Sequence, residues 1–238
     1  MQAVILSAGK GTRLPEISRV MTKVMVPIGG KPLLQWHIEH LRQFDIIDIF
    51  VNLHYMPEQI TEYFGDGSAF GVSIRYSFEK ELLGTGGALN RIAKYITEDT
   101  VIIYGDVIAF VDFSKLLAFH KEHNALITAA MHHAYHPEDS DLVEYDTNFQ
   151  IKKILAKPHL NHKIPENPHN LAALYMFSPE VFSNLISKSS YDIARDLLPA
   201  LLERNGRIFG YDTSELITDI GTPERLEHMR NLLKTIKK

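Results

Sequence analysis

Ala3-Val4-Ile5-Leu6-Ser7-Ala8-Gly9-Lys10-Gly11-Thr12-Arg13-Leu14 places four apolar residues, a turn of small residues and a cation in direct succession. A short apolar run bounded by Ser and Gly suits a buried parallel strand. The turn after it lies at the strand's carboxyl end, where open α/β sheets bind ligands. Gly9 and Gly11 let backbone N–H groups come close to an anion. Arg13 adds a planar fork for phosphate oxygens and Lys23 a compact charge. Gly29-Gly30-Lys31-Pro32 follows. The stretch reads as a phosphate cradle with two cations aimed into it. Two familiar phosphate loops are excluded by residue: a dinucleotide-binding Gly-x-Gly-x-x-Gly needs glycine where Leu14 stands, and a Walker loop needs Ser or Thr where Pro32 stands.

The 238 residues are 45% hydrophobic, enough for one substantial core, so one α/β domain spanning 1–238 is expected. A net charge of −4 gives no footprint for nucleic acid or an anionic membrane surface. With no cysteine there is no disulfide framework and no thiolate chemistry. No basic n-region precedes the first strand, and no apolar stretch approaches the ~18 residues of a membrane span. A soluble, cytoplasmic protein with no membrane or nucleic-acid partner is expected.

Short β-branched runs alternate with segments of helical period up to about residue 125, as in a parallel sheet with crossover helices. Further strands are expected at 46–51, 73–78 and 101–104. Leu33, Leu34, Ile38, Leu41 and Phe44 make one apolar stripe on a helix started by Pro32, with Trp36 and His37 beside it. Strands at 126–132, 141–146, 150–156 and 171–177 then follow one another, an antiparallel extension. Pro158, Pro165 and Pro168 mark 157–169 as a loop. Helices close the chain near 179–187, 191–204 and 222–236; Pro199 should kink or split the second, and Thr222-Pro223 opens the third. The acidic run Glu79-Lys80-Glu81 reads as a solvated edge, and Phe110, Phe113 and Phe119 as core.

Two carboxylates stand out. Asp106 follows the strand 101–104 after Gly105, on the same sheet edge as the Gly9 to Arg13 turn; Asp219 begins Asp219-Ile220-Gly221-Thr222-Pro223. Each alone also suits a turn or the approach to a helix. As a pair they suit Mg²⁺ serving a nucleoside triphosphate, which takes one or two carboxylates beside phosphate oxygens and water. The histidines at 132, 133, 136, 159, 162 and 169 form no tetrahedral set and read as solvated loop residues.

Gly-x-Gly-Thr-Arg, Lys23, Gly-Lys-Pro at 30–32, Gly105-Asp106 and Asp219-Ile-Gly-Thr-Pro resemble, in matching order over nearly the whole chain, the sugar-1-phosphate nucleotidyltransferases. That resemblance implies a Rossmann-like three-layer fold, with 1–125 mainly holding nucleotide, 126–221 mainly holding sugar phosphate, and 222–238 a C-terminal helix. It implies Mg²⁺ on Asp106 and Asp219. The nucleotide would lie on Leu6, Ala8, Gly9, Gly11, Thr12, Arg13, Lys23 and Asp106, with its base and ribose on the second glycine turn, Gly84, Thr85, Gly86 and Gly87. Catalysis would rest on Arg13 and Lys23. The sugar phosphate would lie on Asp141, Lys157, His159 and Ala172. The Gly-Thr-Gly-Gly-Ala version of the second turn resembles the guanylyltransferase branches. His136 to Leu142, together with Lys157-Pro158-His159, resembles the subgroup acting on D-glycero-D-manno-heptose 1-phosphate or mannose 1-phosphate.

Six positions depart from the family pattern. Thr22 and Val24 replace prolines beside Lys23, Ala156 replaces a glutamate that helps hold the sugar, and Leu171-Ala172-Ala173-Leu174 replaces Asn-Ala-Gly-Ile. Asp141 is a candidate replacement contact. The expected reaction needs no nucleophilic residue and no general base: the sugar 1-phosphate, already ionised, attacks the α-phosphorus in line and pyrophosphate leaves. Uridylyl or thymidylyl transfer to another hexose 1-phosphate is the nearest rival. Cytidylyl transfer to a non-sugar acceptor lacks the Lys157-Pro158 signal, and a silent sugar-nucleotide sensor would have lost Lys23, Asp106 or Asp219. A stand-alone transferase domain is expected, with assembly as a homo-oligomer left open.

Overall fold

The computed structural model describes residues 1–11, 14–159 and 163–236. The chain is a mixed α/β protein of parallel strands with an added antiparallel set, in two compact units. Among the described residues no helix is long and apolar enough to cross a membrane.

The first unit comprises Met1–Leu82, Ile103–Val111 and Leu216–Lys238. Strand Gln2–Leu6 runs parallel to Asp48–Leu53, which runs parallel to Ser73–Phe78. Ala3, Val4 and Ile5 are all buried, which explains a continuous rather than alternating apolar run. Helix Leu33–Gln43 buries Leu33, Leu34, Ile38 and Leu41 as its stripe demands, and His37 joins them. Strand Ile217–Asp219 pairs antiparallel with Val107–Ala109, and helix Pro223–Ile236 follows. That helix seats Leu226, Met229 and Leu233 on Val26, Ile28, Leu33, Ile108 and Ile220. Burial of each such side chain contributes roughly 1.5–3 kcal/mol before the entropy of ordering is subtracted. The start is as read: the N–H of Arg225 donates to Thr222 Oγ1 at 3.3 Å.

The second unit comprises Leu83–Ile102 and Asp112–Glu215. Strand His169–Phe177 pairs antiparallel with both Ile127–His133 and Leu142–Tyr145, and Ile151–Leu155 pairs antiparallel with the latter. Ile208–Asp212, which the sequence reading left out, adds in parallel to Ile127–His133.

Several expectations are corrected. The helix near 179–187 stops at Phe182. The amide of Asn90 donates to the carbonyls of Ile186 and Lys188, so tertiary contacts hold that chain out of a helix. The helical region around Pro199 splits as expected, into a π-helical turn Ile193–Leu197 and an α-helix Leu198–Glu203. Glu79 is not a solvated residue but buried, accepting from Asn52 Nδ2 at 2.7 Å. His169 is likewise buried, with Nδ1 at 3.2 Å from the Tyr145 hydroxyl. His162 lies outside the described residues.

Ala173 sits at φ +56° in a register shift between Leu171 and Tyr175. This is the position where the resembling family carries glycine, and a Cβ in that region costs about 1 kcal/mol. Ala173→Gly should therefore stabilise the protein by up to about 1 kcal/mol, visible as a higher denaturant midpoint at unchanged m-value. A lower midpoint would show that the Ala173 methyl contributes more by packing than it costs in backbone strain.

Candidate active site

The first turn leaves strand Gln2–Leu6 and is built as a cradle. Ala8 is buried, Gly9 faces open space, and Gly11 holds φ +65°, its carbonyl accepting the N–H of Leu14 at 2.9 Å. A Cβ on Gly11 would lie 3.6 Å from Lys23 Cβ, so the turn runs directly beside that lysine. Leu6 is half-buried at the strand end. Thr12 and Arg13 lie outside the described residues.

Lys23 opens a short 3₁₀ turn, Lys23–Met25, and is buried for a lysine at 8% exposure. Its Nζ donates to Asp106 Oδ2 at 2.9 Å. The flanking departures have structural answers. The N–H of Thr22, a donor that proline would lack, gives to Gln59 Oε1 at 3.0 Å, while Gln59 Nε2 gives to the carbonyl of Val20 at 2.8 Å. Gln59 thus braces the loop that proline would otherwise stiffen. Val24 is buried beside Gly105, where an added Cβ would come within 2.8 Å of its Cγ1.

Asp106 stands just past the strand Thr100–Tyr104, and its carbonyl accepts the N–H of Ile220 at 2.9 Å. Asp219 is opposite Val107 in the neighbouring ladder, so it stands across from the residue next to Asp106. Asp219 accepts from the N–H of Gly221 at 2.7 Å and from the guanidinium of Arg225. Both carboxylates are about a third exposed and each already meets a cationic side chain. Both carboxylates offer hard oxygen donors open to solvent, the donor type that a divalent magnesium ion takes. Burial pushes the nearby His37 down to about 4 despite the Asp106 charge, so its ring is neutral near pH 7. Arg225 was missed in the sequence reading, because it stands six residues from Asp219 and no local pattern pairs the two.

The second glycine turn belongs to the other unit, and a helix opens within it at Gly84, so that Gly84 to Gly87 form the first helical turn. The N–H groups of Gly86 and Gly87 donate to the carbonyl of Tyr191, and Thr85 Oγ1 donates to Asp192 Oδ2 at 2.6 Å. A Cβ on Gly86 would sit 2.1 Å from the Tyr191 ring, and one on Gly87 2.5 Å from the carbonyl of Ser189. Small residues are demanded here by the protein's own packing.

In the same unit Asp141, Lys157 and Leu171 come together. Asp141 Oδ1 accepts the N–H of Lys157 at 3.0 Å, and its carbonyl accepts the N–H of Leu171 at 3.1 Å. Asp141, the candidate replacement contact, thus meets Leu171, one of the departures from the family pattern, through its backbone. The Lys157 ammonium meets the carbonyl of Asp139, and Arg195 Nη2 lies 3.7 Å from Asp141 Oδ1. Two cations therefore flank the 139–141 loop, and Arg195 had no sequence signal. His159 turns Nε2 to the carbonyls of Pro137 and Ser140, 3.0 and 2.9 Å away, so it braces the loop. Ala172 is buried in the strand His169–Phe177.

The family model for nucleotidyl transferases matches residues 2–235. The chain is 32% identical to a UTP–glucose-1-phosphate uridylyltransferase of Synechocystis over 98% of its own length and 63% of that relative. A D-glycero-α-D-manno-heptose 1-phosphate guanylyltransferase of Campylobacter jejuni is 29% identical, with 96% of this chain and 98% of that relative covered. In fold, a putative glucose-1-phosphate thymidylyltransferase from Bacillus anthracis superposes with a TM-score of 0.86 at 24% identity, covering 98% of this chain and 94% of that one. The chain belongs to the nucleotidyl transferase family, a family of phosphorus-transferring enzymes. It spans about six-tenths of the length of the Synechocystis relative.

Proposed function

We propose that the chain, acting as a single nucleotidyltransferase domain, transfers a nucleotidyl group from a nucleoside triphosphate to a sugar 1-phosphate with Mg²⁺, releasing pyrophosphate. GTP and a heptose or mannose 1-phosphate are the favoured substrates. The observation that carries this reading is the buried Lys23 ammonium on Asp106, with Asp219 alongside and the Gly9 to Gly11 turn against the lysine.

Asp106 and Asp219 would hold Mg²⁺, which when bound supplies positive charge to phosphate oxygens. The turn 7–11 binds the triphosphate through backbone N–H groups, with Arg13 as its expected partner. An ammonium has three donors, so Lys23 can keep Asp106 and meet an α-phosphate oxygen together, where charge builds as the pentacoordinate phosphorus forms. Burial and pairing hold it to one geometry. Lys157 holds the attacking phosphate, and Asp141 fixes Lys157 through its backbone. The attacking oxygen is already ionised, so no side chain has to remove a proton.

The favoured nucleotide follows the Campylobacter jejuni relative, which the chain matches over nearly the whole of both lengths; the Synechocystis relative favours UTP as the second choice. Pyrophosphate release with Mg²⁺ tests the reading across GTP, UTP, CTP, dTTP and ATP against heptose, mannose, glucose and N-acetylmuramic 1-phosphates. A GTP-dependent signal with heptose or mannose 1-phosphate is expected. A signal confined to UTP or dTTP overturns the guanylyl reading, and silence with GTP still bound replaces transfer by sugar-nucleotide sensing.

A further inference from the structure

The Lys23 ammonium is held by Asp106, but the chain that delivers the lysine is thinly anchored. No residue from Pro15 to Met21 is buried; Ile17 and Met21 are only partly covered by the core that holds Leu226, and Val20 is 64% exposed. With so little apolar surface removed from water, the path of this segment depends on polar contacts. Three of these come from one place, the start of helix Pro57–Phe64, which is itself anchored by the buried Ile60 and Phe64. The Tyr55 hydroxyl donates to the carbonyl of Ser18 at 2.8 Å. Gln59 takes hold twice: its Nε2 donates to the carbonyl of Val20 at 2.8 Å, and its Oε1 accepts the N–H of Thr22 at 3.0 Å.

Thr22 is the residue immediately before the lysine. It caps the 3₁₀ turn Lys23–Met25, and its carbonyl accepts the N–H of Met25 at 2.9 Å. Its hydroxyl is buried with no partner among the described residues, so its hydrogen bonds run through the backbone, to Gln59 on one side and to Met25 on the other. Lys23 lies between those two bonds. Bridging the Val20 carbonyl and the Thr22 N–H takes a donor and an acceptor on one planar group, which a primary amide supplies. We propose that Gln59 is a positioning residue for Lys23, setting the backbone turn from which the ammonium reaches both Asp106 and the transferring phosphate. This rests on the catalytic role given to Lys23; Gln59 acts through the lysine and not on substrate.

The pairing with Thr22 gives a reciprocal test. Thr22 stands at φ −70°, which a proline ring adopts without strain. In Thr22→Pro, however, a ring carbon takes the place of the amide hydrogen and presses on Gln59 Oε1, which lies 3.0 Å from that nitrogen. In the double variant Thr22→Pro/Gln59→Ala the ring has room, and no N–H is left to satisfy. The measurements are kcat, KM for GTP (or for UTP where the wild type prefers it), KM for the sugar 1-phosphate, and hydrogen exchange of the Met25 amide by NMR. In Gln59→Ala, kcat should fall about tenfold, with both KM values within about twofold and Met25 exchanging at least about tenfold faster. The fall is smaller than for loss of the lysine because Asp106 still holds the ammonium. Thr22→Pro alone should lose at least as much. The double variant should recover kcat to within about threefold of wild type, and Met25 protection with it. A kcat within about twofold of wild type in Gln59→Ala overturns the proposal. So does a fall in kcat with Met25 still protected, a rise in KM at constant kcat, or a double variant no better than Gln59→Ala. If Thr22→Pro alone does not fold, a folded and active double variant is the same rescue. A wild type that transfers no nucleotidyl group is a different result: it removes the functional reading, while the Met25 amide in Gln59→Ala still decides whether Gln59 sets the turn.

Discussion

Lys23→Ala should lower kcat about a hundredfold or more, with KM for the nucleotide changed far less and the fold retained. The lysine is buried and held on Asp106 at 2.9 Å, so its charge is fixed before substrate arrives and is not screened as a surface charge would be. Removing one such preorganised charge from a phosphoryl-transfer site costs on the order of 3 kcal/mol in the transition state. The fold tolerates the change because Asp106, about a third exposed, recovers its missing partner from water. Lys23→Arg should not restore the rate. A guanidinium is wider and planar, so it does not place a single nitrogen on Asp106 and a phosphate oxygen together as the ammonium does. Steady-state kcat and KM for both substrates, with a thermal melt as the folding control, decide the matter. A kcat within about threefold of wild type would remove Lys23 from the reaction, since even a modest catalytic charge is worth more than that.

Gly84→Ala should destabilise the second unit by about 3 kcal/mol. Gly84 holds φ +72°, where a Cβ costs about 1–2 kcal/mol, and that Cβ would lie 2.4 Å from the carbonyl oxygen of Tyr191. The obstacle is backbone, fixed by the N–H of Tyr191 on the carbonyl of Leu83 at 3.1 Å and by the two glycine N–H groups on Tyr191. Overpacking against a wall that cannot move typically adds another 1–3 kcal/mol. Urea unfolding gives the value directly through the midpoint. A loss below about 1 kcal/mol would mean that the helix start shifts to accommodate the methyl.

The same contacts bear on how such a turn is read. Leu83-Gly-Thr-Gly-Gly-Ala resembles a base-binding turn, and small residues there suggest a ligand lying close. The structure supplies a second reason: Tyr191 and Ser189 already occupy the space that side chains on 84, 86 and 87 would need. Glycine content alone does not separate a ligand from a neighbouring segment of chain, because both exclude a Cβ.

Other parts of the site were legible because their cause is local. Apolar runs in a parallel ladder are buried on both faces, so Ala3 to Leu6 and Thr100 to Tyr104 announce themselves, and Gly11 and Asp106 follow at the strand ends. What escaped depends on partners distant in sequence. Glu79 looks solvated in the run Glu-Lys-Glu, and only Asn52, across the ladder, makes it a buried acceptor. Gln59, Arg195 and Arg225 are ordinary polar residues of helices or turns until the fold sets them against Thr22, Asp141 and Asp219.

By itself the sequence determined the α/β class and singled out the turn at 7–11, Lys23, Asp106 and Asp219 as the candidate site. These rest on short-range patterns, namely strand period, turn glycines and charged residues at strand ends, and each survives any plausible arrangement of the rest. Only the tertiary structure decided which groups satisfy the polar atoms that the turns leave behind. A buried N–H or carboxylate must find a partner somewhere, but the partner is chosen by proximity in space. That is why the positions of Asn52, Gln59 and Arg195 became meaningful only once the chain was folded.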